Sequence, residues 1–188
     1  MAGLTLITFA HDHHHLRGRK KTAPLYIMLG ELDNNMLEEL LKSQLLGRIG
    51  CHADGITYII PVHYVYEPPY IYAHSAEGLK VSLMRKNPEV CFEVDCMTDF
   101  FNWQSAVCWG TFEELTGVEE SEQAMQKLIS RIEPYLSKAD DAHPSHGIAD
   151  RASEIGSVKE LVIYRIKLSK KTGRFEQRDA PPAQTQEI

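Results

Sequence analysis

Residues 75–80, Ser-Ala-Glu-Gly-Leu-Lys, carry the residue types of an anion-binding helix start. They follow an aromatic, β-branched segment that ends at His74, and they lead into a segment with helical periodicity. The first turn of a helix has free backbone N–H groups and the positive end of the helix dipole, so a Ser hydroxyl and a Lys ammonium there would complete a phosphate site. The simpler interpretation is a Ser-capped helix with a solvated Lys. The P-loop pattern Gly-x-x-x-x-Gly-Lys-Ser/Thr does not occur in the sequence.

Histidines offer a second kind of chemistry, and for each group a simpler interpretation competes. Residues 11–15, His-Asp-His-His-His, could hold a divalent metal or form a flexible tail, and we favour the tail. Residues 143–146, His-Pro-Ser-His, lack an acidic or cysteine partner, so we predict a solvated loop and no metal site. His63 and His74 lie in apolar strand-like segments, where a histidine is more often a core or interface residue than a catalytic one.

Charge and cysteine content narrow the class of protein. The chain has 20 Lys and Arg against 26 Asp and Glu, a formal charge of −6, which argues against a broad nucleic-acid surface. The apolar run at residues 4–10 is too short to span a membrane, and basic residues follow it, unlike in a signal peptide. No Cys-x-x-Cys pair occurs among Cys51, Cys91, Cys96 and Cys108. Buried thiols in a reducing compartment fit this usage, so we predict a cytoplasmic protein.

Three segments have helical character, and the second of them contains the candidate anion site. They span about residues 33–43, 75–86 and 119–136. Asp33 or Asn34 is the predicted cap of the first. Leu79 and Leu83 are the predicted inward residues of the second.

Six segments have the composition or alternation of strands. They lie at about residues 45–53, 56–66, 70–74, 90–95, 105–115 and 160–168. Asp54-Gly55 between the first two is a strong hairpin signal. Without a β-α-β rhythm, these segments predict a mainly β fold: a six-stranded antiparallel barrel with peripheral helices. Residues 58–60 and 107–109 are apolar on both strand faces, and the surplus apolar surface predicts a homodimer.

Taken together, the order and spacing of five segments closely resemble the pyridoxamine 5'-phosphate oxidase-like, FMN-binding split-barrel family. These segments are residues 46–50, 59–64, 70–80, 87–92 and 103–110. The resemblance covers about residues 29–175. It implies a six-stranded split barrel that dimerises and binds FMN in two clefts at the dimer interface.

By position, the resemblance implies cofactor-binding roles for ten residues. They are Arg48, Pro61, Val62, His63, Tyr64, His74, Ser75, Lys80, Trp103 and Ser105. Residues 61–64 fall on the strand along the flavin ring and offer mostly backbone groups. His74 and Ser75 fall near the ribityl chain and phosphate. Lys80 matches the phosphate-binding lysine of the family, and Arg48 is the remaining basic candidate.

The strand that ends at Gly110 supplies the rest of the implied site. Ser105, with Trp103 nearby, matches a strand that contributes to the flavin site in the family. Without a flavin beside them, Trp103 and Trp109 would be ordinary barrel packing.

The sequence lacks the Arg- and Trp-containing C-terminal segment that holds the substrate phosphate in true pyridoxamine 5'-phosphate oxidases. It is more similar to the small nitroimidazole-resistance reductases of the group, which makes His74 a candidate for contact with substrate. The implied function is an FMN-dependent oxidoreductase that passes electrons from reduced nicotinamide to a small oxidised substrate. The alternatives are a non-catalytic flavin-, deazaflavin- or haem-binding protein and a protein of this fold without a cofactor. We expect an extension at residues 1–27, the domain at 28–178 and a loose tail at 179–188.

Overall fold

The computed structural model describes residues 5–8, 26–136 and 161–178 of the chain. These ranges contain nine strands and three helices. In chain order they are β1 (Thr5–Thr8), β2 (Tyr26–Glu31), α1 (Asn34–Ser43), β3 (Leu46–Ala53), β4 (Ile56–His63), β5 (Val65–Glu67), β6 (Tyr70–Ala76), α2 (Leu79–Lys86), β7 (Glu89–Asp99), β8 (Asn102–Glu114), α3 (Val118–Leu136) and β9 (Leu161–Arg178). None of the three helices is long and apolar enough to cross a membrane.

The strands form one antiparallel sheet in the order β1-β2-β9-β8-β7-β3-β4, and the path does not close on itself. β6 pairs with β9 and carries β5 on its other side. This arrangement confirms the predicted mainly β split barrel with peripheral helices. The described part has nine strands instead of six, because β1 and β2 had no sequence signal and one predicted strand is divided in two.

The division of the predicted strand 56–66 occurs at Tyr64. Its side chain turns into the core, is 2% exposed, and donates from Oη to the Leu41 carbonyl at 2.8 Å. β4 before this point pairs with β3, whereas β5 after it pairs with β6. The hairpin predicted at Asp54-Gly55 is confirmed, with φ of 52° and 76° at the two turn residues, as a two-residue turn between antiparallel strands requires.

The inward faces of the strands build the core, as the alternation along β7 predicted. Val90, Phe92 and Val94 are buried there, and α1 covers one side of the core with its apolar stripe. In α2, Leu83 is buried as predicted, but Leu79 is 51% exposed. The prediction for Leu79 was wrong because α2 begins at Leu79, four residues later than expected, which places Leu79 in the open first turn.

Several predictions fall outside the described residues. They concern the histidines at 11–15 and 143–146 and the tail 179–188. Within the predicted extension, β1 pairs antiparallel with β2. The division into an extension, a domain and a tail stays a prediction.

Candidate functional site

The connection between β6 and α2 leaves a helix start open to solvent. Gly78 is the N-cap of α2, no side chain caps it, and Ser82 N–H donates to its carbonyl at 3.0 Å. A Cβ added at Gly78 would meet nothing within 4 Å. The first N–H groups of α2 have no hydrogen-bond partner among the described residues, so an anion could accept hydrogen bonds from them.

Ser75 does not cap this helix, contrary to the prediction from residues 75–80. It lies within β6, paired with Val162 of β9, and its hydroxyl donates to the Ala76 carbonyl at 2.7 Å. The pairing with β9 extends the strand to Ala76 and delays the start of α2. The Ser hydroxyl is thus three residues upstream of the helix N-cap.

Lys80 occupies the first turn of α2 and is half-buried. Burial lowers the pKa of its ammonium, and the nearby Cys51 thiol offsets this only in part. Within the described residues, no carboxylate lies within ion-pair distance of Lys80. A half-buried cation without a counter-ion is costly, and a bound anion would reduce that cost.

His74, at the end of β6, lies close to this ammonium. Its Nδ1 is buried and has no hydrogen-bond partner among the described residues. Burial lowers the pKa of His74, and the positive charges of Lys80 and His63 lower it further. The charges of Lys80 and His63 thus act on the His74 imidazole, which is neutral at neutral pH.

A second group of predicted residues lies on the outer face of the sheet. Arg48 is the register partner of Pro61 on one side and of Glu93 on the other. Its Nη1 donates to Glu93 at 2.9 Å and to Asp95 at 2.5 Å, and these carboxylates raise its pKa. Ser105 Oγ donates to Glu93 at 3.1 Å. Two carboxylates against one guanidinium leave this group with a net charge of −1, which does not favour a phosphate at Arg48.

The predicted residues of β4 divide between the two faces of the sheet. Pro61 and His63 are exposed on the outer face, whereas Val62 is 5% exposed and, like Tyr64 beyond the strand end, packs in the core. Within the described sheet β4 is a terminal strand, so one of its edges has no strand partner. Val62 can therefore offer a ligand only backbone groups. The Tyr64 side chain is unavailable, and its N–H is already bonded to the Leu45 carbonyl at 3.2 Å.

The same outer face carries a cleft of about 710 Å³. Apolar side chains of three strands line it, among them Ile59, which is 66% exposed, and Trp109, which is 41% exposed. Arg48 and Glu93 line its polar side. Trp103 lies farther along β8, where its Nε1 donates to Glu176 at 3.0 Å.

The structure thus places the predicted residues in two regions. His74 and Lys80 lie near the junction of β6 and α2, and Arg48, Pro61, His63 and Ser105 lie on the outer face. Sequence reasoning missed Glu93 and Asp95, which decide the charge around Arg48. The alternation along β7 indicates that both side chains lie on the outer face. It does not indicate which basic residue they contact.

The sequence matches one known protein family over most of its length. The profile of the family described as pyridoxamine 5'-phosphate oxidase matches residues 33–175. A curated relative, an uncharacterised protein of Rhizobium meliloti (strain 1021), is 25% identical over 129 residues, which are 69% of this chain and 83% of the relative.

Solved structures share the fold at low sequence identity. A FAD-binding protein from Mesorhizobium loti has a TM-score of 0.61 at 24% identity. The alignment covers 81% of this chain and 99% of the Mesorhizobium loti chain. A candidate 5-nitroimidazole antibiotic resistance protein from Bacteroides thetaiotaomicron has a TM-score of 0.57 at 19% identity, over 90% and 100% of the two chains. A FAD- and haem-binding protein from Mycobacterium smegmatis has a TM-score of 0.58 at 14% identity, and the alignment covers 78% of this chain and 73% of that protein. Because the family profile spans most of the sequence, from the cap of α1 to the inward Phe175 of β9, the chain belongs to the pyridoxamine 5'-phosphate oxidase family.

Proposed function

We propose that this chain binds a flavin nucleotide by its phosphate at the start of α2 and acts as an FMN-dependent oxidoreductase. The observation that carries the proposal is Lys80, a half-buried ammonium without a carboxylate partner among the described residues, beside an open helix N-terminus. A phosphate there would accept hydrogen bonds from the first N–H groups of α2 and supply the counter-ion for Lys80.

The residues between Lys80 and the outer face suit the rest of such a ligand. His74 is close enough to Lys80 and His63 for their charges to lower its pKa, and the ribityl chain would follow the phosphate past His74. The free edge of β4 offers backbone groups to the polar edge of a ring that lies along the outer face. Ser105 and Glu93 approach the same face from β8 and β7.

A bound flavin would supply the electron transfer between reduced nicotinamide and a small oxidised substrate. The protein would hold the flavin and orient it toward the substrate. His74 would present a neutral imidazole to the cofactor or the substrate, since burial and the charge of Lys80 disfavour its protonation.

FMN is the flavin we propose, and FAD is the nearest competitor. Both contain a phosphate next to the ribityl chain, so both could use the start of α2. The structural relative from Mesorhizobium loti is described as FAD-binding and the one from Mycobacterium smegmatis as FAD- and haem-binding, which is why FAD belongs in every binding test.

We further propose a homodimer with the cofactor at the interface. The outer face exposes Ile59 and Trp109 around a cleft, and a second copy is the usual cover for such an apolar surface. A cytoplasmic location completes the proposal, because all four cysteines are free thiols.

Reconstitution tests this function directly. The purified chain is incubated with FMN, FAD or haem, desalted, and its absorption spectrum recorded, after which NADH or NADPH is added without oxygen. We expect FMN to remain bound at one per chain and its absorption to bleach on addition of the reduced nicotinamide. A Soret band after incubation with haem, without retained flavin, would favour the haem-binding alternative. A colourless protein after all three incubations would reject the function.

A further inference from the structure

We infer that Arg85 is a positioning residue that holds the start of α2 in the shape needed to bind a phosphate. This inference rests on the proposed flavin function and deepens it. Arg85 lies near the end of α2, and its guanidinium reaches back to the segment in front of the helix.

The guanidinium of Arg85 makes two bidentate contacts. Nη1 and Nη2 donate to the two oxygens of Glu77 at 3.0 and 2.7 Å. Nε and Nη2 donate to the two oxygens of Glu114 at 2.7 and 2.8 Å. Paired donors aimed at two carboxylates fix the geometry more tightly than a single ion pair would.

The two carboxylates belong to parts of the chain with different restraints. Glu77 directly precedes Gly78, the exposed N-cap of α2, where an added Cβ would have no atom within 4 Å. Glu114 ends β8 in register with Tyr164 of β9, and the next N–H, of Leu115, donates to the Ile163 carbonyl at 2.9 Å. Arg85 therefore ties an otherwise weakly packed connection to the centre of the sheet.

Arg85 itself does not suit the role of a phosphate ligand. All three of its nitrogens donate to carboxylates, and two negative charges surround its single positive charge. Its effect on an anion would pass through the position of residues 77–80. The charge of Arg85 and the shape of its contacts can be separated, because lysine keeps the charge and loses the fork.

The test compares Arg85→Lys with the control Lys86→Met. The control removes the ion pair between Lys86, at the C-terminal end of α2, and Asp54, and leaves the contacts of Arg85 in place. Amide hydrogen exchange of Ser82, whose N–H donates to the Gly78 carbonyl, is measured without flavin, and the dissociation constants of FMN and riboflavin are measured by titration. We expect Arg85→Lys to speed exchange at Ser82 and to weaken FMN binding roughly 3- to 10-fold, with riboflavin binding unchanged. Lys86→Met should change neither quantity.

Glu77→Gln distinguishes positioning from a simple charge effect. Removal of a negative charge near a phosphate site would by itself tighten FMN binding, whereas loss of the contact to Arg85 would weaken it. Weaker FMN binding in Glu77→Gln supports the inference, and tighter binding overturns it.

The remaining outcomes separate this inference from the proposed function. If the wild-type chain prefers FMN to riboflavin and Arg85→Lys keeps the same preference, or exchange at Ser82 is unchanged, the positioning role is rejected and the flavin site stands. If the wild-type chain binds neither flavin, both are rejected.

Discussion

The Arg48 guanidinium donates to the Glu93 carboxylate at 2.9 Å, and the two residues are register partners on β3 and β7. Asp95, two residues farther along the same face, takes a second bond from the same nitrogen. Two carboxylates thus more than balance the charge of Arg48 within the described protein. Lys80, which has no such partner there, is the better candidate for the proposed phosphate site.

The first prediction concerns Arg48. In Arg48→Met, FMN affinity should fall less than 3-fold, and the free energy of unfolding should change by no more than about 1 kcal/mol, since the pair is exposed. Calorimetric titration and urea unfolding measure the two quantities. A loss of FMN affinity as large as that caused by Lys80→Met would contradict this prediction and indicate that Arg48 binds the phosphate.

The sequence predicts those features that neighbouring residues determine, such as a helix cap or a tight turn. It does not predict contacts between residues that are far apart in the chain. The Asp33 cap was readable from residue type, and Asp33 does accept from Met36 N–H at 2.9 Å. The Asp54-Gly55 turn was readable in the same way. The partners of Arg48 were not, because Glu93 is 45 residues away and only strand pairing brings the two together.

Competing local signals explain the errors in the elements. Ser75 has the type of a helix cap, but pairing with Val162 keeps it in a strand. Tyr64 continues the apolar run of β4, and only the tertiary fold draws its ring into the core against Phe92. β9 continues ten residues beyond the predicted end at 168, where Lys171 and other polar residues hide the alternation.

The second prediction is a pH dependence of stability that arises from His74. Burial lowers the pKa of the folded imidazole below its ordinary value of 6.5, so the unfolded chain binds more protons once the pH falls below about 6.5. The contribution of His74 to stability is therefore complete above pH 6.5 and is lost as the pH falls toward the folded pKa.

Unfolding by urea between pH 7.5 and 5.5 measures this contribution. We expect the wild-type chain to lose more stability over this range than His74→Gln does, whereas the exposed-site control His52→Gln should follow the wild type. Identical pH profiles for wild type and His74→Gln would contradict the assignment.

The third prediction compares two strand glycines. A Cβ at Gly110 would lie 2.5 Å from the Lys167 carbonyl oxygen, which is backbone and cannot move cheaply. Gly110→Ala should destabilise the fold by about 1–3 kcal/mol. At Gly50 the nearest atom is 3.7 Å away, so Gly50→Ala should be neutral or slightly stabilising. Thermal unfolding of both variants measures this difference in stability. A similar loss of stability in Gly110→Ala and Gly50→Ala would refute the prediction.

The fourth prediction concerns the proposed dimer. Trp109→Glu places a charge in the apolar cleft, whereas Val118→Glu places one on an exposed position of α3. Sedimentation should show the wild type and Val118→Glu at about twice the chain mass of 21.3 kDa and Trp109→Glu as a single chain. A wild-type chain that is monomeric, or a Trp109→Glu variant that stays dimeric, would argue against this interface.

The phosphate site is the central claim, and calorimetric titration of FMN and riboflavin into the wild type, Lys80→Met and the control Lys86→Met tests it most directly. Charge-assisted hydrogen bonds of about 1.5–3 kcal/mol should make FMN bind roughly 10- to 150-fold tighter than riboflavin in the wild type and in Lys86→Met. Lys80→Met should lose most of that preference without losing riboflavin. Equal affinities for FMN and riboflavin in the wild type, or a preference that survives Lys80→Met, would contradict the account.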